Sequence, residues 1–453
     1  MQHHIRAAAV AAVFGLTVTG CVLAPRATRD ERLRAERAGK PWARPRAERT
    51  LPALSPAPGW RELLRHALLA NGDLEAAYHD WRTALAGIDV AAAYPNTNLS
   101  LEYEYLFSDE KLKSWDRNSF TLGFDPMQNL SFPTKALAAG RTALADARAA
   151  GDRFLAAKLA LQRDVLTAWY DLALAAERLR LERERGTLAA LDHDLALVRS
   201  TTGASQTVAI DATVEQARTD DRVRTLETEV RTTRVRLNAL AGRAPDAPIA
   251  VPVALPEPRP LPDDSAVLAA GVRNNPELAG LGHDHEARTR AIAAARQEFI
   301  PDVNPFVGIE GGMAQLVGVA VSLPARISMI RGQIAQARIM EARAAALEAQ
   351  GHHDRAAEFA ITLAALRDAE RRAGLYRDVI VPQTAQLVAS TRAAYEGGDA
   401  DLTALVEAER LSIETRTMLA DARMERERQL AILEAVGGFD AETLEPRTTE
   451  EPS

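Results

Sequence analysis

The sequence predicts a mainly α-helical fold with a small β part, in which one order of helix, two strands and a long helical hairpin occurs twice. Three observations lead to this prediction. Of the 453 residues, 47% are hydrophobic and only 5% are aromatic, and an alanine-rich chain with abundant charged residues is typical of long, closely packed helices. Two stretches, 119–141 and 315–333, change from a two-residue period to a helical one. Short motifs also recur about 200 residues apart, which indicates an internal duplication.

The first 20 residues have the pattern of a signal peptide. Arg6 precedes an apolar run of about 14 residues, which is too short to cross a membrane and typical of a secretion signal. The run ends in Val18-Thr19-Gly20-Cys21, which resembles the bacterial lipobox, and Cys21 is the only cysteine. We predict that Cys21 becomes the lipidated (palmitate-bearing) N-terminus; a buried cysteine in an unprocessed leader is the alternative. Val22 stands where an Asp would retain such a lipoprotein at the inner membrane, which favours the outer membrane.

Residues 21–58 are predicted to be a lipid-anchored linker rich in Arg and Pro. They show little periodicity, so we expect an extended tether. Its arginines either lie near anionic lipid headgroups or are simply solvated.

Two similar halves follow this linker. Repeat 1 is predicted over 59–242 and repeat 2 over 265–438, with a Pro-rich linker at 243–264 and a disordered acidic tail at 439–453. Four motifs of repeat 1 match motifs of repeat 2: Asn71–Leu74 with Asn275–Leu278, Tyr94-Pro95 with Ile300-Pro301, Ser131–Pro133 with Ser322–Pro324, and Leu240–Gly242 with Ala435–Gly437. The distance in sequence between matching motifs becomes shorter from the second pair to the third, so repeat 1 has about 15 more residues than repeat 2 between these motifs.

Each repeat is predicted to contain a short helix, a very long helix and a return helix. Their approximate ranges are 59–93, 134–200 and 207–241 in repeat 1, and 263–300, 325–396 and 400–436 in repeat 2. At 1.5 Å per residue the long helix spans roughly 100 Å, which matches the two shorter helices end to end. Apolar residues recur along it at spacings of three and four, as in a coiled coil. We therefore expect the two shorter helices to pack against it as a pseudo-continuous partner.

Four strands lie between the helices, two in each repeat. Their side chains alternate: one face carries Leu99, Leu101, Tyr103, Tyr105, Phe107, Phe120, Leu122, Phe124, Val303, Val307 and Ile309, and the other carries Ser100, Glu102, Glu104, Ser119, Thr121, Gly123, Asn304, Gly308 and Glu310. Each stretch has the length of a tilted transmembrane strand, and this alternation is expected of a lipid-facing barrel wall. A small soluble sheet packed on a helix is an equally open alternative. Because barrels need about eight strands and open edges cannot lie in lipid, several copies would have to pool their strands.

The order of elements resembles the TolC-like family of outer-membrane efflux proteins over about residues 60–437. The resemblance also rests on the lipobox and on Tyr395-Glu-Gly-Gly398 continuing to Leu405-Val406-Glu-Ala408-Glu409, which is similar to the family pattern Y-x-x-G-x6-V-L-x-A-Q. The strand-to-helix junctions depart from the family, because Pro133-Thr-Lys and Pro324-Ala-Arg stand where many members have Pro-Leu-aromatic and then Gly-Gly.

The resemblance implies a fold, partners and a function. It implies a homotrimer in which four strands per chain contribute to a twelve-stranded transmembrane β-barrel, while the duplicated long helical hairpins form an α-barrel through the periplasm of a Gram-negative bacterium. It also implies docking to an inner-membrane RND-type pump through a periplasmic adaptor, and hence a passive efflux conduit for metal cations or drugs. A periplasmic coiled-coil adaptor lipoprotein and the outer-membrane component of type I protein secretion are the alternatives.

Two sets of carboxylates are candidate sites in such a conduit. Glu102, Glu104 and Glu310 would line the barrel lumen, and Glu396, Asp399 and Asp401 would lie at the periplasmic entrance. Rings of carboxylates select cations in channels. The plain alternative is that lumen residues are merely polar and that Asp399 caps a helix. The charged loop 108–117 is expected to be extracellular.

Other function classes find little support in the sequence. A net charge of −7 argues against nucleic-acid binding. There is no His-Glu-x-x-His, no phosphate-binding Gly loop and no cysteine besides Cys21, so we expect neither an enzyme nor a cofactor. His283, His285, His352 and His353 invite a metal interpretation, but residues one or two positions apart on a helix point in different directions. We expect them to be solvated surface.

Overall fold

The computed structural model describes residues 21–107, 113–125, 130–201, 206–252, 254–259, 271–311 and 314–439. Several predictions concern residues outside these ranges. They are the signal peptide at 1–20, the tip of the charged loop at 108–112, the turn at 202–205, the end of the Pro-rich linker at 260–264 and the acidic tail from 440.

The element order is the one predicted, with some additions. Within the described ranges the α-helices are α1 (Thr28–Ala38), α2 (Trp60–Ala70), α3 (Gly72–Ala91), α4 (Pro133–Thr201), α5 (Gln206–Leu240), α6 (Pro276–Gln297), α7 (Ile327–Leu375), α8 (Val381–Gly397) and α9 (Leu402–Gly437). The strands are β1 (Cys21–Val22), β2 (Ala93–Tyr94), β3 (Leu99–Tyr105), β4 (Asn118–Phe124), β5 (Asp302–Glu310) and β6 (Ala314–Ser322). No described helix contains an apolar stretch of membrane-spanning length. The mainly α class with a small β part is confirmed.

The chain divides into two compact units. The first comprises the described residues within 1–40, 76–154 and 277–352, and the second comprises those within 41–75, 155–276 and 353–453.

The first unit contains a four-stranded antiparallel sheet in the order β3-β4-β5-β6. Both predicted hairpins are therefore present, and β4 joins β5 across the two repeats through pairs such as Leu122 with Val307. The β3 strand ends at Tyr105, so Phe107 lies beyond the strand in which it was predicted.

Helices of the first unit pack through small residues against a few aromatic rings. The Trp81 and Phe154 rings stack with their centroids 5.7 Å apart. A Cβ placed on Gly151 would lie 2.8 Å from Cε2 of Trp81, so this helix position must stay bare for the indole to fit. Buried alanines fill much of the rest, as at Ala145 and Ala149. This is the close helix packing that the composition predicts.

The segment after Cys21 differs from the predicted extended tether. Residues Thr28–Ala38 form the helix α1, and Ala35 is buried. Its arginines do not only face solvent, because Arg32 pairs with Asp89 at 2.6 Å and Arg34 pairs with Asp152 at 2.9 Å. The predicted linker is therefore wrong over this stretch: specific partners hold the segment in place.

In the second unit, the helix predicted at 59–93 begins as α2 and is interrupted at Asn71. Asn71 Oδ1 accepts hydrogen bonds from the backbone N–H groups of Asp73 and Leu74, both at 3.0 Å. This is an N-cap, and it starts α3 as a new helix. In repeat 2 the helix α6 begins at Pro276, and Asn275 directly precedes it as the counterpart of Asn71. The predicted start of the first helix of this repeat, near residue 263, lies outside the described residues.

The duplication is visible at the end of each return helix. Asn71 Nδ2 donates to the Leu240 carbonyl at 3.1 Å, and Asn275 Nδ2 donates to the Val436 carbonyl at 2.8 Å. Each return helix then ends on a left-handed glycine, Gly242 at φ 63° and Gly438 at φ 78°. The structural match of Gly242 is thus Gly438, one residue beyond the Gly437 predicted from the sequence.

Pro382 does not break the long helix of repeat 2. A π-helical turn, Tyr376–Ile380, directly precedes α8, which has the proline in its first turn. The wider turn accommodates a residue that cannot donate a backbone hydrogen bond.

The described part of the Pro-rich linker packs against α9. Arg259 is 6% exposed, and Glu427 and Glu434 are 1% and 2% exposed. The Arg259 guanidinium donates to Glu427 at 3.2 Å and to both carboxylate oxygens of Glu434 at 2.8 and 2.9 Å. Arg426 donates to the Arg259 carbonyl at 2.8 Å and also contacts Glu427. We call these four residues the linker cluster.

Candidate functional site

The polar strand face carries the three predicted lumen carboxylates. Glu104 and Glu310 both oppose Ser119, from the two strands that flank β4. Glu102 opposes Thr121 in the adjacent row. All three carboxylates are exposed. The register thus brings side chains from both repeats together on one face of one sheet.

The polar face is not polar throughout. Phe306 lies on it, opposite Gly123 on β4 and Gly318 on β6. Leu316 lies in the neighbouring row, opposite Gly308. The sequence prediction assigned no large apolar side chain to this face, and the structure corrects it there.

The opposite face carries apolar side chains on all four strands. One row contains Leu101, Leu122, Val307 and Val317, in register. The neighbouring row contains Tyr103, Phe120, Ile309 and Gln315, and its Tyr103 and Phe120 rings lie 4.9 Å apart. Leu101 is 70% exposed and Val317 is 84% exposed. A contiguous apolar surface of this kind marks a site that contacts lipid or another protein.

The predicted entrance residues surround the turn between α8 and α9. Gly398 has φ 82°, and the helix ends in a Schellman arrangement in which Gly398 N–H donates to Tyr395 and Asp399 N–H donates to Ala394. Asp401, not Asp399, is the N-cap of α9, because its side chain accepts from Ala404 N–H at 2.9 Å. Glu396 and Asp399 are exposed, and Asp399 is free of the capping role that the sequence suggested for it.

Cys21 is held at the level of the sheet by its backbone. Strand β1 pairs with β2 in the register Cys21 with Tyr94 and Val22 with Ala93. Leu23 N–H also donates to the Ala92 carbonyl at 2.8 Å. Tyr94 lies five residues before Leu99, where β3 starts, so this pairing places Cys21 near the start of the four-stranded sheet.

The two histidines of α6 contact carboxylates of different helices. His283 Nδ1 lies 2.7 Å from Asp152 of α4. His285 contacts α7 through both ring nitrogens, with Nδ1 at 2.6 Å from Glu348 and Nε2 at 3.1 Å from Glu341. These two residues were predicted to be solvated surface, and the structure places both against carboxylates instead. Within the described ranges no group of three metal-ligating side chains comes together.

This geometry predicts a pH-dependent contact between α6 and α7. Only the imidazolium can donate from both ring nitrogens, and the bonds to Glu341 and Glu348 raise the pKa of His285 above its ordinary 6.5. The contribution of these two bonds to stability is therefore complete below pH 6.5, and it is lost as the pH rises through the raised pKa of His285. We expect the midpoint of unfolding to decrease as the pH is raised from about 5 to about 8. The decrease should be larger in the wild type than in His285→Gln. His353→Gln, at an exposed position, is the control; an equal fall in wild type and His285→Gln would contradict the prediction.

Comparisons with known proteins agree on the fold. No family model matches the sequence, and no curated protein matches it. Three solved structures are each similar over 84% of this chain. The outer-membrane channel OprN has 18% sequence identity, is covered over 90% of its length and gives a TM-score of 0.70. The outer membrane protein VceC of Vibrio cholerae has 19% identity, 96% of its length covered and a TM-score of 0.68, and the MtrE outer membrane channel of Neisseria gonorrhoeae has 17% identity, 89% of its length covered and a TM-score of 0.68. The order of helices and strands, the four-stranded sheet and these matches lead to one conclusion: this chain has the fold of these outer-membrane channel proteins.

Proposed function

We propose that the chain is the subunit of a trimeric outer-membrane channel, the outer component of a tripartite efflux system. It is a passive conduit and not an enzyme. It takes its cargo from a periplasmic adaptor and an inner-membrane pump, and the metal cations or drugs that such systems export are its candidate substrates. No nucleic acid and no cofactor takes part.

The observation that carries this proposal is the four-stranded sheet with one apolar and one polar face. An apolar face across all four strands requires lipid or protein cover. The strands are seven to nine residues long, close to the span of a tilted transmembrane strand. Because a four-stranded sheet has two edges and open edges cannot lie in hydrocarbon, copies must join edge to edge. Three copies of four strands give a twelve-stranded barrel, within the size range of outer-membrane barrels.

Planar bilayers test this function directly. The purified chain is expected to form pores as a homotrimer, with discrete single-channel conductance. A monomer without pore activity would contradict the proposal. A soluble adaptor lipoprotein, the alternative from the sequence, would bind membranes through its anchor but would not conduct.

The anchor is the second part of the proposal. We infer that Cys21 is lipidated and that the pairing of its backbone with Tyr94 keeps the acyl chains near the inner leaflet of the outer membrane. Cys21→Ala is expected to abolish lipidation and to leave residues 1–20 attached, because the lipoprotein signal peptidase cuts before the modified cysteine. Mass spectrometry of the membrane-extracted chain checks both outcomes. An unmodified Cys21 in the mature wild-type chain would show that the anchor is absent.

Charge in the lumen is the third part. Glu102, Glu104 and Glu310 share the polar face with no Lys or Arg among the described residues of the four strands, and three copies would bring nine carboxylates into one barrel. Such rings favour cations, and narrow low-dielectric passages focus their field.

Replacing these three glutamates by glutamine is expected to reduce cation selectivity. The reversal potential of the pore under a salt gradient measures this selectivity, and it should shift toward zero.

At the entrance, the measured quantity is the conductance of the pore. It is compared in Asp399→Ala and in Asp401→Asn, which retains a capping side chain. An anion-selective wild-type pore, or an unchanged reversal potential in the triple variant, would refute the lumen assignment; unchanged conductance in both Asp variants would refute the entrance assignment.

A further inference from the structure

Two large apolar side chains lie on the otherwise polar strand face, and each faces a glycine. Phe306 on β5 opposes Gly318 on β6, and Leu316 on β6 opposes Gly308 on β5. The two pairs are neighbours in the same hairpin. The hairpin of repeat 1 has no such pair, because Ser100 opposes Gly123 and Glu102 opposes Thr121 there.

The Phe306 ring lies directly over Gly318. A Cβ added to Gly318 would overlap Cζ of the ring and would lie 2.7 Å from Cε1 and 3.1 Å from Cε2. The bare glycine is therefore the reason that the ring can lie against the sheet. An aromatic ring that covers a cross-strand glycine is a known way to support such a position.

Leu316 and Gly308 have a looser contact. A Cβ added to Gly308 would lie 3.5 Å from Cδ1 of Leu316 and 3.5 Å from Oγ1 of Thr121, which are ordinary van der Waals distances. An alanine fits there without displacing its neighbours. The backbone at Gly318 and Gly308 lies outside the left-handed region, so alanine causes no backbone strain at either position.

We propose that Gly318 sets the inner width of the barrel at this level by leaving room for the Phe306 ring against the barrel wall. This inference rests on the proposed function, because it requires the polar strand face to line the lumen. Three copies would place three such rings on the inner wall. With Gly318 the rings lie along the wall. With any larger residue each ring must leave its place over β6, and we expect it to project into the lumen.

The test compares single-channel conductance and the size of polyethylene glycol that enters the pore, in four variants. Gly318→Ala is expected to lower the conductance and to reduce the size of the largest polyethylene glycol that enters the pore. Gly318→Ala combined with Phe306→Ala is expected to restore both to the wild-type value or above, since no ring is left to project. Phe306→Ala alone should conduct at least as well as the wild type. Gly308→Ala is the matched control on the same face and should leave both measurements unchanged.

Each outcome decides the proposal. Gly318→Ala trimers that conduct like the wild type would overturn it, because the ring would then not determine the width. An equal loss in Gly308→Ala, or a failure of Phe306→Ala to rescue Gly318→Ala, would also overturn it and would leave the glycine a purely structural role. A wild-type chain that forms no pore contradicts the proposed function instead, so the two failures are distinguishable.

Discussion

Arg259→Met is expected to destabilise the second unit by about 3–5 kcal/mol, the cost of breaking a buried ion pair on one side. Arg259 is almost fully buried and contributes one of the two guanidinium groups of the linker cluster. Without it, one guanidinium, that of Arg426, remains in the cluster for the two buried carboxylates of Glu427 and Glu434. Methionine replaces the aliphatic part of the side chain, so the loss measures the charge and its hydrogen bonds.

The denaturant midpoint followed by helical circular dichroism measures this loss. Arg377→Met is the matched control, because Arg377 pairs only with its exposed neighbour Asp378 among the ion pairs of the described chain, and surface changes of this kind usually stay within about 0.5 kcal/mol. Adding Glu434→Gln to Arg259→Met should recover part of the stability, since it removes one of the two negative charges. A midpoint of Arg259→Met equal to that of Arg377→Met would show that the linker cluster does not hold the linker in place.

Val317→Arg is expected to prevent insertion of the channel into the outer membrane. Val317 is 84% exposed on the apolar face, in register with Val307 and Leu122. An arginine on the lipid face of a barrel costs about 2–4 kcal/mol near the bilayer midplane, and a homotrimer would carry the change three times. The measured quantity is the fraction of chain recovered as outer-membrane trimer.

Ala320→Arg provides the control for this prediction. Ala320 is exposed on the same strand, three residues further along, on the polar face. Its arginine would lie in the aqueous lumen, so the trimer fraction should stay close to that of the wild type. Equal losses in the two variants would mean that the two faces have the same surroundings.

The sequence predicted the sheet and its faces well, because strand alternation is a local signal. The pairing of Tyr103 with Phe120 and of Leu101 with Leu122 follows once both strands keep their apolar residues on one side. Phe306 escaped this reasoning because its place depends on Gly318, which lies on another strand and leaves room for the ring.

Helix boundaries were harder to predict. The Asn71 cap had a local signal, an Asn followed by Gly-Asp, but the strong helical pattern on both sides concealed the interruption. The helix α1 could not be predicted from its pattern alone. Its order depends on partners distant in sequence, such as Asp89 for Arg32 and Asp152 for Arg34.

The linker cluster had no local signal. Arg259 lies between prolines in a segment without periodicity, and its partners Glu427 and Glu434 are 168 and 175 residues away. Burial of these three charges is a property of the tertiary structure. The His285 contacts to Glu341 and Glu348 are of the same kind: the sequence showed that His283 and His285 diverge, but not what each would meet.

A spin-label scan along β6 tests the central claim most directly, that one face of the sheet contacts lipid and the other lines an aqueous conduit. Single cysteines at Val317, Val319, Ala320, Val321 and Ser322, in reconstituted trimers with Cys21→Ser, each carry one label. We predict an alternation with a two-residue period: labels at 317, 319 and 321 are accessible to oxygen in the bilayer, and labels at 320 and 322 are accessible to a water-soluble relaxation agent. Uniform access of the water-soluble agent to all five positions would contradict the account.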